Sequence, residues 1–239
     1  MLNTKKNYLL AAIIFIAAEI ILGVLVQCYS GLAYSILTLV SVSIALIFVA
    51  FCLEKKRLNI LMVITFVFTV LADLFLCGIV ENENAKLIAM IFFNFVQIGY
   101  FIRIFLLHSN KKQKIVHLTV RLVIILIAVL ATILVLRENT NALAIVSLIY
   151  YANLIVNIVF SFTQTKISWF LPIGLVLFIL CDTFIGLEVM QELFLTVEEG
   201  SFIYKLTHTG FNFAWLFYVP SQTLLALSVK EVFLLKKTV

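Results

Sequence analysis

The chain has 239 residues, of which 64% are hydrophobic and only 12% are charged, and its formal net charge is +5. Soluble globular chains carry about 25% charged residues, so this composition excludes a soluble protein, and the scarcity of glycine and proline excludes fibrous and low-complexity chains. We therefore predict a polytopic membrane protein with a single transmembrane domain over residues 1–239. The positive charge is expected in loops at one membrane face, so no nucleic-acid partner is predicted.

Eight apolar runs are long enough to cross a bilayer core, which requires roughly 20 residues per helix. In chain order the runs are Tyr8–Val26, Leu32–Leu53, Leu58–Val80, Leu87–Leu107, Val116–Leu136, Ala142–Thr163, Trp169–Met190 and Thr209–Val229. The first run is not followed by a small-residue cleavage site, so it is expected to be a retained helix. The pattern predicts an all-α bundle of eight transmembrane helices.

Lysine and arginine are divided unequally between the two sets of helix ends. One set carries twelve of them: Lys5, Lys6, Lys55, Lys56, Arg57, Lys111, Lys112, Lys114, Lys166, Lys230, Lys236 and Lys237. The opposite loops carry only Lys86, Arg137 and Lys205. Because basic residues concentrate on the inner side, both termini are predicted to be cytoplasmic, at the plasma membrane if the protein is bacterial. Arg103 and Arg121 lie near the basic side and are expected to snorkel towards it.

The two aspartates of the chain, Asp73 and Asp182, both lie within apolar runs, the third and the seventh. An aspartate at the centre of a membrane helix costs about 2.5 to 3.5 kcal/mol on insertion scales, so it requires a reason. Each is about 15 residues, or roughly 22 Å, from the basic end of its helix. This matched depth predicts one shared site. The alternative is that each is a structural carboxyl bonded to a neighbouring helix.

Further polar side chains recur at helical spacing in four of the runs. They are Thr65, Thr69 and Cys77 in the third, Asn94, Gln97 and Tyr100 in the fourth, Tyr150, Asn153, Asn157 and Ser161 in the sixth, and Tyr218, Ser221 and Gln222 in the eighth. Residues three or four apart share a helix face, so these side chains are expected to line the bundle interior with the aspartates. They could equally serve as hydrogen bonds between packed helices. Glu19 is expected either to join the site or to pair with a backbone group.

Cysteine and histidine do not form the patterns of a metal centre. The four cysteines lack metal-ligand spacing, and the three histidines fall at predicted helix ends or in loops. Walker, GxGxxG and GxSxG sequences are absent from the chain. We therefore predict no metal and no cofactor.

A weak internal repeat relates the two aspartates. Residues 68–75 (FTVLADLF) align with residues 177–184 (LFILCDTF) and share Leu, Asp and Phe in register. A membrane glutamine, Gln97 or Gln222, follows one helix later in each case. The repeat predicts two four-helix halves of the same orientation.

These motifs resemble those of the lysoplasmalogenase (YhhN-like) family of eight-helix membrane proteins. The family's Gly-Asp-x-x-Leu, His-x-x-Tyr, Ser-Asp and Tyr-x-x-x-Gln motifs are similar to residues 72–76 (ADLFL), 97–100 (QIGY), 181–182 (CD) and 218–222 (YVPSQ). The chain differs from the family pattern at Ala72, Gln97 and Cys181, where the family has Gly, His and Ser.

The resemblance implies hydrolysis of the vinyl ether bond of a lysoplasmalogen to a fatty aldehyde and a glycerophospho-alcohol. Asp73 and Asp182 would be the catalytic pair, and the partners would be a lysophospholipid substrate and membrane lipids. The resemblance implies that Gln97, Tyr100, Tyr218 and Gln222 orient the substrate or the two acids, and the polar stripe of the sixth run adds Tyr150 and Asn153 to the predicted substrate-binding residues. Two intramembrane carboxyls suit this chemistry independently, because one must donate a proton while the other stays ionised and orients water.

Two other classes of function are compatible with the same pattern. A proton- or lipid-coupled transporter would also use paired intramembrane aspartates, although transporter helices are often broken and only Pro220 lies well within a run here. A non-catalytic scaffold or sensor domain would use the polar stripes only for packing.

Overall fold

The computed structural model of the chain describes residues 5–52, 57–108, 110–165, 168–193, 201, 204 and 211–234. Within these ranges it contains eight α-helices and two short 3-10 turns, and no strand. The helices are α1 (Lys5–Cys28), α2 (Gly31–Phe51), α3 (Arg57–Leu76), α4 (Ala85–Leu107), α5 (Lys111–Leu136), α6 (Ala142–Ser161), α7 (Phe170–Leu193) and α8 (Phe213–Leu234). The predicted all-α bundle of eight helices is confirmed.

Seven of the described helices, α1 to α7, are long and apolar enough to cross a membrane. The apolar part of α8, Phe213–Val229, is shorter. Its rise of about 26 Å, at 1.5 Å per residue, approaches the roughly 30 Å hydrocarbon core. Since α8 packs on α1, α2 and α7, its surroundings are largely protein. The chain is thus a multi-pass integral membrane protein.

Two helix ends differ from their predicted positions because of local capping. Helix α5 begins at Lys111 rather than Val116, since the Asn110 side chain accepts a 2.7 Å hydrogen bond from the Gln113 backbone and starts the helix early. His117 is therefore inside α5 rather than at its start. The predicted start of the last helix at Thr209 lies outside the described residues.

Helix α3 ends at Leu76 rather than Val80. Gly78 adopts a φ of 68°, the left-handed conformation that terminates many helices, and the Ile79 backbone donates back to the Leu74 carbonyl at 3.2 Å. The prediction that Cys77 belongs to the polar stripe of α3 is wrong, because Cys77 lies in the turn after the helix.

Two close helix contacts fix the positions of the aspartate-bearing helices. A Cβ on Gly99 of α4 would lie 2.1 Å from Thr65 Oγ1 of α3, and a Cβ on Gly174 of α7 would lie 2.9 Å from Leu225 Cγ of α8. Small residues permit this approach between membrane helices. Helix α4 also packs on α6, whereas the principal neighbour of α5 is α6. The division into two four-helix halves stays a prediction.

The prediction that Arg103 and Arg121 snorkel is wrong. Arg103 is only 2% exposed and Arg121 only 5%. Arg103 donates to the hydroxyl and the carbonyl oxygen of Ser228 at 2.8 and 2.7 Å. Both side chains turn inwards because oxygen acceptors on α8 and α6 lie within reach of their terminal nitrogens, although the Nε of Arg121 has no hydrogen-bond partner among the described residues.

Candidate active site

Asp73 lies in the bundle interior and is 0% exposed. The phenol of Tyr218, on α8, donates a 2.5 Å hydrogen bond to Asp73 Oδ2. The other oxygen, Oδ1, is buried and has no hydrogen-bond partner among the described residues. A buried polar atom without a partner is rare in proteins, so Oδ1 is the atom of Asp73 available to a ligand or a proton.

Asp182 forms a second carboxyl–phenol pair. Tyr150 of α6 donates a short hydrogen bond to Asp182 Oδ2, and Asp182, unlike Asp73, is partly exposed. Charge-assisted hydrogen bonds of this kind are about twice as strong as neutral ones. Each aspartate is therefore held by a tyrosine from a different helix.

The two pairs are neighbours, close enough for the charges of Asp73 and Asp182 to interact. Aromatic rings connect them: Phe178 lies 5.9 Å from Tyr218 and 6.0 Å from Phe93, which lies 5.7 Å from Tyr150, all between ring centroids. The structure thus brings together the carboxyls of the third and seventh helices, with packed aromatic rings between the two tyrosines that bind them.

A chain of amide side chains reaches the Asp182 pair from the side of α5. Arg121 donates to Asn157 Oδ1 at 2.6 Å and, by a shorter hydrogen bond, to Asn153 Oδ1. Asn157 Nδ2 in turn donates to Gln97 Oε1 at 2.9 Å. The Gln97 amide lies beside the Tyr150 hydroxyl, although its Nε2 makes no hydrogen bond of standard geometry to a described residue.

Two buried histidines extend this chain to the loop before α5. Arg121 Nη2 lies 3.3 Å from His117 Nε2, and His117 Nδ1 lies 3.0 Å from His108 Nε2. Because a guanidinium only donates, His117 must accept at Nε2 and carry its proton on Nδ1. Burial lowers the pKa of His108, and the nearby charge of Lys114 lowers that pKa further, so His108 is neutral near pH 7.

Two further predicted site residues are buried but unbonded. The hydroxyl of Tyr100 and both amide atoms of Gln222 have no hydrogen-bond partner among the described residues. Asn153, which was predicted to line the site, has its amide oxygen occupied by Arg121, and its amide nitrogen donates to the Ile149 carbonyl at 2.9 Å. Tyr100 and Gln222 therefore have free polar atoms, whereas Asn153 does not.

Several stripe residues serve only packing. Thr65 and Thr69 donate to carbonyl oxygens of their own helix, and Ser221 donates to the Gly174 carbonyl at 2.8 Å. Asn94 likewise donates to two carbonyl oxygens. Glu19 accepts a 2.6 Å hydrogen bond from Ser41, a side chain and not the backbone group that was one expectation. The hydrogen bonds of Ser221, Asn94 and Glu19 join neighbouring helices, whereas those of Thr65 and Thr69 stay within α3. The other carboxyl oxygen of Glu19 is buried and has no partner among the described residues.

A cavity of about 280 Å³ opens where α1 turns into α2. Its lining residues are Val26, Gln27, Tyr29, Ser30, Gly31, Tyr34 and Asn212. The Tyr34 hydroxyl accepts from Asn212 at 3.1 Å, and Trp215 lies edge-on to both Tyr34 and Tyr218, at 5.3 and 4.9 Å between centroids. The cavity is thus one aromatic ring away from the phenol that binds Asp73.

The residues that sequence analysis missed are Arg121, His117 and the link through Asn157. Arg121 lies within the fifth apolar run, and an ionisable residue inside a membrane helix is by default a functional candidate. Because Arg121 is near the basic end of its helix, it was expected to reach the membrane surface instead. Asn157 was recognised as part of a stripe, but one sequence cannot show that its partner is an arginine on α5.

Comparison with known proteins supplies one match. A model of the YhhN family matches residues 33–229. The chain belongs to the YhhN family. No curated protein and no solved structure matches it. The matched range contains both aspartates, both tyrosines and Arg121, and it leaves out α1 and Glu19. The carboxyl–phenol pairs and the hydrogen bonds of Arg121 therefore lie within the range that matches the YhhN family.

Proposed function

We propose that this protein is a lysoplasmalogenase, an intramembrane hydrolase of the vinyl ether bond of lysoplasmalogens. The single observation that carries the proposal is the pairing of the chain's two aspartates: they are neighbours in the bundle interior, and each accepts a hydrogen bond from a tyrosine phenol. Membership in the YhhN family supports it. The products would be a fatty aldehyde and a glycerophospho-alcohol.

The reaction needs an acid and a base on the same substrate. The acid transfers its proton to the β carbon of the vinyl ether, which leaves positive charge on the oxygen and the α carbon. Water then adds to the α carbon while the ionised carboxylate takes one of its protons. As the carbon–oxygen bond to glycerol breaks, the carboxyl that served as the acid takes up the hydroxyl proton of the hemiacetal. The carboxyl that served as the base protonates the leaving oxygen. Both carboxyls return to their starting states.

The predicted substrate-binding residues divide into two groups by their contacts. Tyr150 and Tyr218 would position the carboxyls, because their phenols donate to Asp182 and Asp73, and Gln97 would position Tyr150, because its amide lies beside the Tyr150 hydroxyl. Tyr100 and Gln222 would bind substrate oxygen atoms, since their polar atoms are buried and unbonded among the described residues. A ligand that satisfied these groups would remove the cost of leaving them unpaired.

The α1–α2 cavity is the proposed entrance for the substrate. Its polar lining suits a head group, and the aromatic path from Tyr34 through Trp215 leads to the Asp73 pair. With the basic helix ends in the cytoplasm, this cavity would face the opposite side. A topology reporter fused after Val239 tests the orientation: it should be active only in the cytoplasm, and activity outside would reverse the assignment.

Aldehyde release from a lysoplasmalogen by detergent-purified protein is the direct test. The matched control substrate is a lysophospholipid of equal chain length with a saturated alkyl ether, which cannot be protonated at carbon and should release nothing. The matched control protein is the double variant Asp73→Asn, Asp182→Asn. Equal aldehyde release by this variant and the parent would exclude carboxyl catalysis, and no release by the folded parent would exclude the reaction.

A further inference from the structure

Arg121 is a buried cation to which no acidic side chain bonds among the described residues. Its partners are the amide oxygens of Asn153 and Asn157, one nitrogen of His117 and the ring of Phe101, whose centroid lies 4.2 Å from the guanidinium carbon. A charge inside a membrane helix is costly and usually pairs with an opposite charge. The hydrogen bonds that begin at Arg121 can be followed towards the carboxyl of Asp182.

The chain from Arg121 to Asp182 can run in only one direction. A guanidinium has donors and no acceptor, so Asn157 must present its oxygen to Arg121 and its NH₂ group to Gln97. Gln97 must then present its oxygen to Asn157, which leaves its NH₂ group towards the Tyr150 hydroxyl. The Tyr150 proton is thereby directed to Asp182. Each amide orientation follows from the one before it.

We propose that Arg121 is a positioning residue that holds Asp182 as the ionised carboxylate through Asn157, Gln97 and Tyr150, so that Asp182 is the base and Asp73 the acid. The proposal rests on the proposed function and goes beyond it by assigning the two roles. Hydrogen bonds run from the cation as far as Gln97, whose NH₂ group lies beside the Tyr150 hydroxyl without a hydrogen bond of standard geometry. Polar groups aligned in this way from a cation to a carboxylate polarise one another and favour negative charge at the far end.

The surroundings of Asp73 fit the complementary role. Asp73 is fully buried and lacks a comparable connection to a cation, and only Tyr218 bonds to it among the described residues. A second negative charge next to ionised Asp182 would be unfavourable in a site of low dielectric constant. The unbonded Oδ1 of Asp73 is therefore where a transferable proton would reside. Asp182, in contrast, is partly exposed at the surface of the helix bundle.

The titratable groups around Asp182 come from several helices. Those that interact with Asp182 itself are Tyr150 on α6, Asp73 on α3 and the adjacent Cys181. Next to Cys181 in turn lie Cys77 after α3, Tyr34 on α2, Tyr218 on α8 and Glu188 on α7. None of these groups is cationic. Arg121 is thus the positive charge that the described hydrogen bonds and contacts connect to Asp182, and its removal should change the titration of that carboxyl.

The test is the pH dependence of two signals in the full-length protein: kcat/KM for lysoplasmalogen, and the infrared band of protonated Asp182, identified by difference from Asp182→Asn. Arg121→Gln removes the charge, and Asn157→Leu breaks the chain while Arg121 remains. Both should move the acid limb and the infrared titration upwards by about one pH unit, less than the roughly one to three units expected for a charge in direct contact. Arg121→Lys, which keeps a positive charge at this position, should show a smaller shift than Arg121→Gln.

Thr132→Val is the matched control. Thr132 is a buried polar residue on the same helix, and its hydroxyl donates to the Ala128 carbonyl. It takes no part in the hydrogen bonds between Arg121 and Asp182. It should leave both pH curves in place. An unshifted Asp182 band in Arg121→Gln, or a parental spectrum in which Asp182 is protonated and Asp73 ionised at the working pH, would overturn the proposal. If the parent releases no aldehyde, the proposed function fails, yet the infrared shift still decides the coupling.

Discussion

Asp73 and Asp182 accept the same hydrogen bond from the same kind of residue, yet they sit in different surroundings. The Asp73–Tyr218 pair is enclosed by aromatic rings, with Trp215 and Phe178 against the phenol. In the Asp182–Tyr150 pair the tyrosine is buried and the aspartate partly exposed, and the pair ends a series of polar side chains that begins at a buried arginine. Two carboxyls of one chemical type can thus be given opposite roles by what surrounds them.

The largest expected effect comes from removing either carboxyl. Asp73→Asn and Asp182→Asn should each lower kcat by at least about 10²-fold, the lower end of the range for losing general acid–base catalysis. The double variant should lose little more than the worse single variant, because groups that act as a unit are not additive. Steady-state aldehyde assays on correctly inserted protein measure this. Parental rates in both single variants would show that the difference between Asp73 and Asp182 plays no part in catalysis.

Removing each phenol should separate the two pairs. Tyr150→Phe and Tyr218→Phe should each lower kcat/KM by about tenfold, which corresponds to a loss of ~1.4 kcal/mol. Only Tyr150→Phe should also move the acid limb of the pH profile upwards, because only Tyr150 connects Asp182 to Arg121. Equal shifts in the two variants, or none in either, would contradict the difference between the pairs.

Gln97 offers a test in which activity should be kept. A neutral imidazole has one acceptor and one donor nitrogen, and these could accept from Asn157 and donate to Tyr150 as the Gln97 amide is placed to do. Gln97→His should therefore preserve or raise kcat/KM, whereas the apolar control Gln97→Leu should lower it about tenfold. A histidine variant as impaired as the leucine variant would argue against a directed chain at this position.

The smallest effect is expected at Cys181, the buried neighbour of Asp182. Cys181→Ser should change kcat/KM by less than about threefold, since the proposed reaction uses no thiol and the two side chains are similar in size. The control is Cys28→Ser at an exposed position, which shows any loss of activity that comes from purification and not from the site. Loss of activity in Cys181→Ser alone, measured by the same aldehyde assay, would place a thiol in the reaction.

The helix number was predictable from sequence, and a site at the two aspartates was expected, because membrane helices obey two local rules. Long apolar runs report the helices, and ionisable residues inside them report a site. The actual ends of α3 and α5 depend on Gly78 and Asn110, whose capping geometry is set by a few backbone hydrogen bonds. A pattern of hydrophobicity does not contain that information.

The contacts within the site were less predictable for a different reason. That Tyr218 would bind Asp73 depends on how α8 lies against α3, and that Asn153 would turn to Arg121 depends on how α5 packs on α6. These are contacts between residues far apart in sequence. Arg121 was assigned to the membrane surface because its distance from the helix end was known and the two asparagine oxygens facing it were not.

The position of Arg121 has a consequence for how the chain enters the membrane. Helix α5 carries a charge whose acceptors, Asn153 and Asn157, are on the next helix, and a central arginine alone costs about 2.5 to 3.5 kcal/mol on insertion. The link between the helices is short: Arg137–Asn139 forms a 3-10 turn and Asn141 caps α6. We expect the translocation machinery to release α5 and α6 into lipid together, as a hairpin already closed by the arginine.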